Sequence, residues 1–215
     1  MDLPNIPLIY NLTWLHFEAM SEQRKYTAII DNFRNRRLIT ITVDYSCIDK
    51  IKQEDMTLVR NYEKKGIIEL KATLIMDDEF NKANTNVQSK LREQYLGLKK
   101  FKPSRGAIFN GFMFNELRFN APPTLRDDKN GEYYFNEFAK IMFPSGIKNE
   151  NDFYDVWHLA IHYIFQRNLF LTRNIRHFNN PRFSEKYVDL IILTPLELVS
   201  LLSNYCGKYP LTSCN

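Results

Sequence analysis

Glycine is scarce in this chain, with 7 residues in 215. Neither G-x-G-x-x-G nor G-x-x-x-x-G-K-[ST] occurs. Dinucleotide-binding and P-loop readings therefore lose the glycines that let a backbone approach phosphate. Cysteine is rarer still. Cys47, Cys206 and Cys214 form no C-x-x-C pair and are odd in number, which argues against a disulfide framework and predicts free thiols in a reducing compartment. No apolar run reaches the ~18 residues of a membrane helix. The opening MDLPNIPLIYNLTW lacks a basic leader segment, so it does not read as a secretory signal. The expectation is a soluble, cytoplasmic chain with no membrane partner. Internal repeats and low-complexity tracts are missing too. Neither sign of charge dominates: 29 Lys and Arg against 25 Asp and Glu leave +4, compatible with a polyanionic partner without requiring one.

What is present describes a globular chain. Hydrophobic residues make up 44% and aromatics 14%, enough for a sizeable core. Ser21 can cap a helix running to about Arg37. In LITITVD, Ile39, Ile41 and Val43 alternate with Thr40, Thr42 and Asp44, the pattern of a strand ending in a carboxylate. A helix over about 55–65 is stopped by Gly66. A second strand is expected over 67–76, with Asp77 and Asp78 opening the next helix. Further along come a helix from about Asn151 to Gln166, a short strand at 168–172, and an apolar run at 187–194. Thr194, Pro195 and Glu197 then spell a helix start with a capping box. Strands alternating with helices predict an α/β fold with a largely parallel sheet, whose function gathers at the carboxyl ends of its strands.

Four separated segments form one set: VDYSCID at 43–49, ATLIMDDEF at 72–80, DVWHLAIHYIFQRNLFLTRNIRHF at 155–178, and IILTPLEL at 191–198. Together they resemble the PIN-domain family of metal-dependent nucleases, which includes bacterial toxin-type ribonucleases. That family has a first strand ending in Asp followed by small hydroxyl residues, then a Glu on the helix after a second strand. Later it has an Asp on a helix running into a strand that ends T-R-[DN], and finally a T-P-x-E helix start. The resemblance covers about 38–82 and 150–203, and the 155–178 segment is its most specific part. It implies a three-layer PIN-like fold around a central parallel sheet. The domain would occupy 38–203, preceded by an N-terminal helical extension at 1–37, interrupted by an inserted helical region at about 95–145, and followed by a tail at 204–215.

Carried over residue by residue, the resemblance makes Asp44, Glu79 and Asp155 the acidic set that holds Mg²⁺ or Mn²⁺. Ser46 lies beside Asp44, and Thr172 hydrogen-bonds within the site. Asp77 and Asp78 are alternatives to Glu79, and Asp152 is the alternative to Asp155. The fourth family position, often Asp, is here Asn174, which keeps an oxygen but lacks the charge. The chemistry agrees with these residue types. Hard divalent cations take oxygen ligands, and phosphodiester cleavage needs an activated water and a countercharge that one or two such ions supply. The implied activity is endonucleolytic hydrolysis, in RNA first and DNA second, with an antitoxin-type protein or a second copy of the chain as possible partners. A catalytically degenerate nucleic-acid-binding or scaffold protein is the alternative, and Asn174 speaks for it.

Other residues admit plainer readings. Asp44 alone could be a strand-end turn residue, Glu79 a solvated helix residue and Asp155 a helix-dipole partner; their order and spacing favour the joint reading. His158 and His162 share the spacing of two zinc ligands but lack the Glu of H-E-x-x-H. His158 is expected to pack or hydrogen-bond behind the acids, and His162 and His177 to be structural. Cys47 reads as an apolar, half-buried thiol. The run 89–106 carries six Lys or Arg and one Glu. It reads either as a solvated face or as a nucleic-acid contact in which Lys99, Lys100, Lys102 and Arg105, with Arg173, hold phosphates. The aromatic stretch 107–143 reads as the core of a small helical subdomain or an oligomer contact.

Overall fold

The computed structural model describes residues 27, 31, 38–48, 54–73, 75–82, 85–97, 99–100, 108–109, 125–126, 129–178 and 180–208. Of the expected N-terminal helix, only Thr27 and Asp31 are among them, and both are helical. The main sheet contains β1 (Ile39–Val43), β2 (Ile68–Ala72), β3 (Lys99–Lys100), β6 (Leu169–Leu171) and β7 (Ile192–Leu193). It is parallel throughout, in the order β3-β2-β1-β6-β7. A separate antiparallel pair joins β4 (Ile108–Phe109) to β5 (Leu125–Arg126). The helices are α1 (Glu54–Lys64), α2 (Ile75–Lys82), α3 (Thr85–Leu96), α4 (Lys129–Met142), α5 (Glu150–Ile164), α6 (Ile175–Phe178), α7 (Pro181–Lys186) and α8 (Pro195–Lys208). None of the described helices is long and apolar enough to cross a membrane.

Alternation along the strands sorts the core into two faces. Ile39, Ile41 and Val43 of β1, with Ile68 and Leu70 of β2 and Leu169 and Leu171 of β6, join Met56 and Val59 of α1 and Leu198, Leu201 and Leu202 of α8. Phe170, one step out of phase on β6, instead joins Phe135 and Phe138 of α4 and Trp157, Leu159 and Ala160 of α5. Phe135 and Phe138 recur at the three-residue spacing of a helix stripe, and α4 thereby lies against α5. The part of the aromatic stretch that falls in α4 thus belongs to the main core.

Local chemistry sets the element ends. Gly66 adopts φ +72, the left-handed conformation in which a chain leaves a helix and which a Cβ would strain. Thr194 caps α8: its Oγ1 accepts from the Glu197 N–H at 3.2 Å, and Glu197 Oε2 accepts from the Thr194 N–H at 2.7 Å. Asn149 caps α5, accepting from the Asp152 N–H at 2.9 Å, while Asp152 Oδ2 accepts from the Lys148 N–H at 3.0 Å.

One expected strand and one apolar run pair over fewer residues than they span. The second ends at Ala72, because Ile75 and Met76 are buried as the first turn of α2. In 187–194 only Ile192–Leu193 pairs; Tyr187 closes α7 through its N–H to the Phe183 carbonyl at 2.7 Å. Within the aromatic stretch at 107–143, Leu125–Arg126 form β5 and α4 starts at Lys129.

Pairing aligns the carboxyl ends in one row. Val43 lies opposite both Ala72 and Leu171, Ala72 opposite Lys100, and Leu171 opposite Leu193. The next residues along that edge are Asp44, Thr73, Thr172 and Thr194. The chain builds outward from β1 through β2 to β3, then returns to lay β6 on the other side of β1. The crevice between β1 and β6 is therefore the topological switch point, where open α/β sheets bind ligands.

Candidate active site at the carboxyl edge of the sheet

Asp44 and Thr172 flank this switch point. The Asp44 N–H donates to the Leu171 carbonyl at 2.9 Å, extending the β1–β6 pairing by one residue. Asp44 is only 2% exposed. Its Oδ2 accepts from the hydroxyls of Ser46 and Thr172, the latter at 2.8 Å. Each hydroxyl is aimed from behind: Ser46 Oγ accepts from the Arg173 N–H at 3.0 Å, and Thr172 Oγ1 from the Asn174 N–H at 3.0 Å. Since the two N–H groups occupy hydroxyl lone pairs, both hydroxyl protons are left for the carboxylate.

Asp155 reaches the same edge from α5. Its Oδ2 is 2.8 Å from Asn174 Nδ2, which donates, and 2.8 Å from His177 Nδ1. Burial, and then the charge on Asp44, push the Asp155 carboxyl up to about 7, against the opposing pull of His177 and His158. Asp44 is therefore close enough to be felt as a like charge. No hydrogen bond to Oδ1 of either Asp44 or Asp155 is made among the described residues.

One stripe of α5 carries this polar chemistry. Asp155, His158 and His162 recur at helical spacing and are all buried, a placement that requires partners. His158, 0% exposed, sets Nδ1 2.5 Å from Thr73 Oγ1 and Nε2 2.5 Å from Glu79 Oε2. Burial favours its neutral ring. The Glu79 carboxylate, with Asp44 and Asp155 behind it, outweighs that and pushes His158 up to about 9. His162 has no such carboxylate; burial, helped by Arg167, pushes it down to about 3, and its Nδ1 lies 3.0 Å from Thr42 Oγ1.

The structure thus brings together Asp44, Ser46, Thr172, Asn174 and Asp155, and connects Glu79 to them through His158. Glu79 gives its carboxylate to His158. Among the described residues, no group of three or more His, Cys, Asp or Glu side chains is placed to hold a metal ion. Asp152 is occupied at the start of α5. His177, expected to be structural, instead lies directly on Asp155; the turn into α6 that follows the β6 strand brings it there, a contact that residue spacing does not announce.

Among the basic candidates, Arg173 is ion-paired to Asp55 at the start of α1. Burial works against ionised Asp55, but the hydrogen bond from Arg173, the Met56 N–H and the Arg173 charge hold its carboxyl below the usual range. Lys99 and Lys100 form β3, with Lys100 opposite Ala72. Lys102 and Arg105 lie outside the described residues. Set against models of known protein families, characterised proteins and solved structures, the chain matches none.

Proposed function

We propose that this protein is a Mg²⁺- or Mn²⁺-dependent endonuclease of the PIN type that hydrolyses phosphodiester bonds in RNA. The observation that carries the reading is the convergence of Asp44 and Asp155, two buried carboxyls on distant segments, at the switch point of a parallel sheet. Their donor chemistry fits a hard cation: oxygen ligands, burial and then repulsion from Asp44 that raise the Asp155 carboxyl to about 7, and an oxygen on each with no donor among the described residues. Asp44 and Asp155 would hold the ion, with the Asn174 amide beside them. A bound divalent cation supplies countercharge to the phosphate and makes water easier to deprotonate.

The chain's own residues have separate tasks in this reading. Ser46 and Thr172 fix Asp44 through backbone-directed hydroxyls. Asn174 and His177 orient Asp155. Glu79 and Thr73 grip both nitrogens of His158, which lies as a positive group behind the acids and keeps Glu79 turned toward the site. In this reading Lys99, Lys100 and Arg173 would serve as contacts to the nucleic-acid backbone. A parallel sheet with helices on both faces supports the reading at the level of an α/β fold. An antitoxin-type partner or a second copy of the chain remains part of the proposal through that resemblance alone.

The test is an assay on single-stranded RNA and DNA oligonucleotides with Mg²⁺, Mn²⁺ or EDTA, comparing wild type with Asp155→Asn. Cleavage of RNA that requires the metal and is lost in the variant supports the reading; metal-independent cleavage, or equal cleavage by the variant, overturns it. A second reading, a nucleic-acid-binding scaffold, draws on the commitment of Glu79 to His158 and on Asn174 at the fourth position. It predicts RNA binding with no cleavage under any of these conditions.

A further inference from the structure

His177 differs from the buried His158 of α5. His158 commits both ring nitrogens inside the protein, Nδ1 at Thr73 and Nε2 at Glu79. The His177 side chain is 28% exposed and meets Asp155 through Nδ1. Its place is fixed by its neighbours. Phe178, the next residue, is buried and packs on Phe170 of β6 with ring centroids 5.1 Å apart, which anchors the turn. Phe143, just after α4, makes a T-shaped contact with the imidazole at 4.9 Å. Asp155 Oδ2 holds Nδ1 at 2.8 Å, and the same oxygen accepts from Asn174 Nδ2 at 2.8 Å. With two neighbours converging on Oδ2 as donors, the proton shared with His177 belongs on Nδ1. A neutral imidazole protonated on Nδ1 carries a lone pair on Nε2. Nε2 makes no hydrogen bond among the described residues. The rigid ring therefore presents an acceptor one ring-width from the Asp155 carboxyl.

We infer that His177 is a specificity-determining residue of this site, its Nε2 accepting a hydrogen bond from the 2′-hydroxyl of the ribose beside the scissile phosphate. This deepens the nuclease reading and rests on it. Phosphate oxygens, bridging oxygens and the sugar-ring oxygen are all acceptors, so a DNA backbone has nothing to give a neutral imidazole. The 2′-hydroxyl is the internal backbone donor that RNA adds. A deoxyribose at the same place leaves Nε2 stripped of water and unpaired, which is unfavourable. Asp155 then serves twice. Its Oδ1 is left for the cation, and its Oδ2 sets the tautomer that reads the sugar.

The experiment measures Mn²⁺-dependent kcat/KM at about pH 8, where a free imidazole is neutral. The substrates are a single-stranded RNA oligonucleotide and versions carrying one 2′-deoxynucleotide on either side of the cleaved linkage. Wild type is compared with H177N and H177Q, and Asp155→Asn is the inactive reference. Asparagine can keep the donor to Asp155 but has no atom at Nε2, whereas glutamine can place an amide oxygen near Nε2. In wild type, one of the deoxy substitutions should cost roughly tenfold. H177N should cleave the all-RNA substrate roughly tenfold more slowly, and the same deoxy substitution should then cost less than about twofold. H177Q should retain most of the deoxy penalty. Each penalty is a ratio taken within one variant, so a partly folded population cancels. If His177 merely supports the fold around Asp155, H177N will lower both activities alike and keep the wild-type ratio; that result overturns the inference. So does a wild type indifferent to both deoxy substitutions, or a penalty kept in H177N and lost in H177Q. If wild type cleaves RNA and Asp155→Asn does not, such a failure belongs to this inference alone. If wild type cleaves nothing, the nuclease reading fails and takes this one with it.

Discussion

The two carboxyls at the switch point are held in opposite ways. Asp44 ends a central strand and receives two hydroxyls whose protons are directed by backbone N–H groups. Its geometry is set before any ligand arrives. Asp155 projects from a helix buried on nearly every side, and its neighbours do not offset burial and the Asp44 charge, so its carboxyl rises to about 7. One acid is prepared by the sheet, and the other is left in tension with it. If the site takes a cation as proposed, the fold offers it a rigid ligand and a reluctant one. The second strengthens the incentive to bind positive charge.

The largest expected effect tests whether both acids serve one reaction. Asp44→Asn and Asp155→Asn should each reduce Mn²⁺-dependent cleavage by about three orders of magnitude, or ~4 kcal/mol in the barrier, measured in single turnover. A variant that keeps wild-type turnover removes that acid from the chemistry.

Next comes the pH dependence of folding, which should separate Asp155 from its surroundings. Because the folded carboxyl is raised above its unfolded value of 3.8, the native state retains a proton that the unfolded chain loses. Stability should therefore fall as pH rises from about 4 to about 7, by on the order of a few kcal/mol. Urea unfolding in EDTA at a series of pH values should show this fall in wild type and not in Asp155→Asn. His158 acts in a higher window. Its folded value is raised to about 9 from 6.5, so its contribution is complete below 6.5 and lost as pH rises through 9. His158→Gln should flatten that second decline and, because the His158 charge pulls Asp155 down, extend the first to higher pH.

Mn²⁺ sharpens the comparison at fixed pH. At 100-fold excess over its dissociation constant it should stabilise wild type by about 2.7 kcal/mol, read as a rise in Tm. Asp155→Asn should lose most of that increment while being no less stable than wild type in EDTA. The smallest effect probes the Asp44 side. Thr172→Val removes a hydroxyl and strands the Asn174 N–H, and should cost about 1–3 kcal/mol in urea unfolding without altering the pH profile attributed to Asp155.

Legibility in the sequence followed the range of the interaction. Thr194, Pro195 and Glu197 announced the start of α8 because a cap is made within one turn. Ile39, Ile41 and Val43 announced β1 and placed Asp44 at its end because alternation is local to a strand. The extent of β2 was overread, since Ile75 and Met76 serve a helix turn with the same apolar side chains that would suit a strand. Within the site, Asp44, Thr172 and Asp155 could be singled out by motif, whereas their second partners could not. His177 on Asp155, Glu79 on His158 and Arg173 on Asp55 depend on how loops and helices meet across long separations. A histidine in a short turn and an acid in a first helical turn carry no local mark of such duties.

The sheet order has a consequence for how the molecule comes into being. β1 is made long before β6, which becomes one of its neighbours, and Thr172 must travel across 128 positions to reach Asp44. Contacts of that separation form slowly, because the loop they close is long. On the ribosome, β1 and β2 can pair as they emerge, but the switch point stays open until Leu169–Leu171 has left the exit tunnel. Fragments ending before that strand lack half of the Asp44 cradle and the groups that orient Asp155. The arrangement around Asp44 and Asp155 is thus withheld from nascent and prematurely terminated chains that have not yet reached β6.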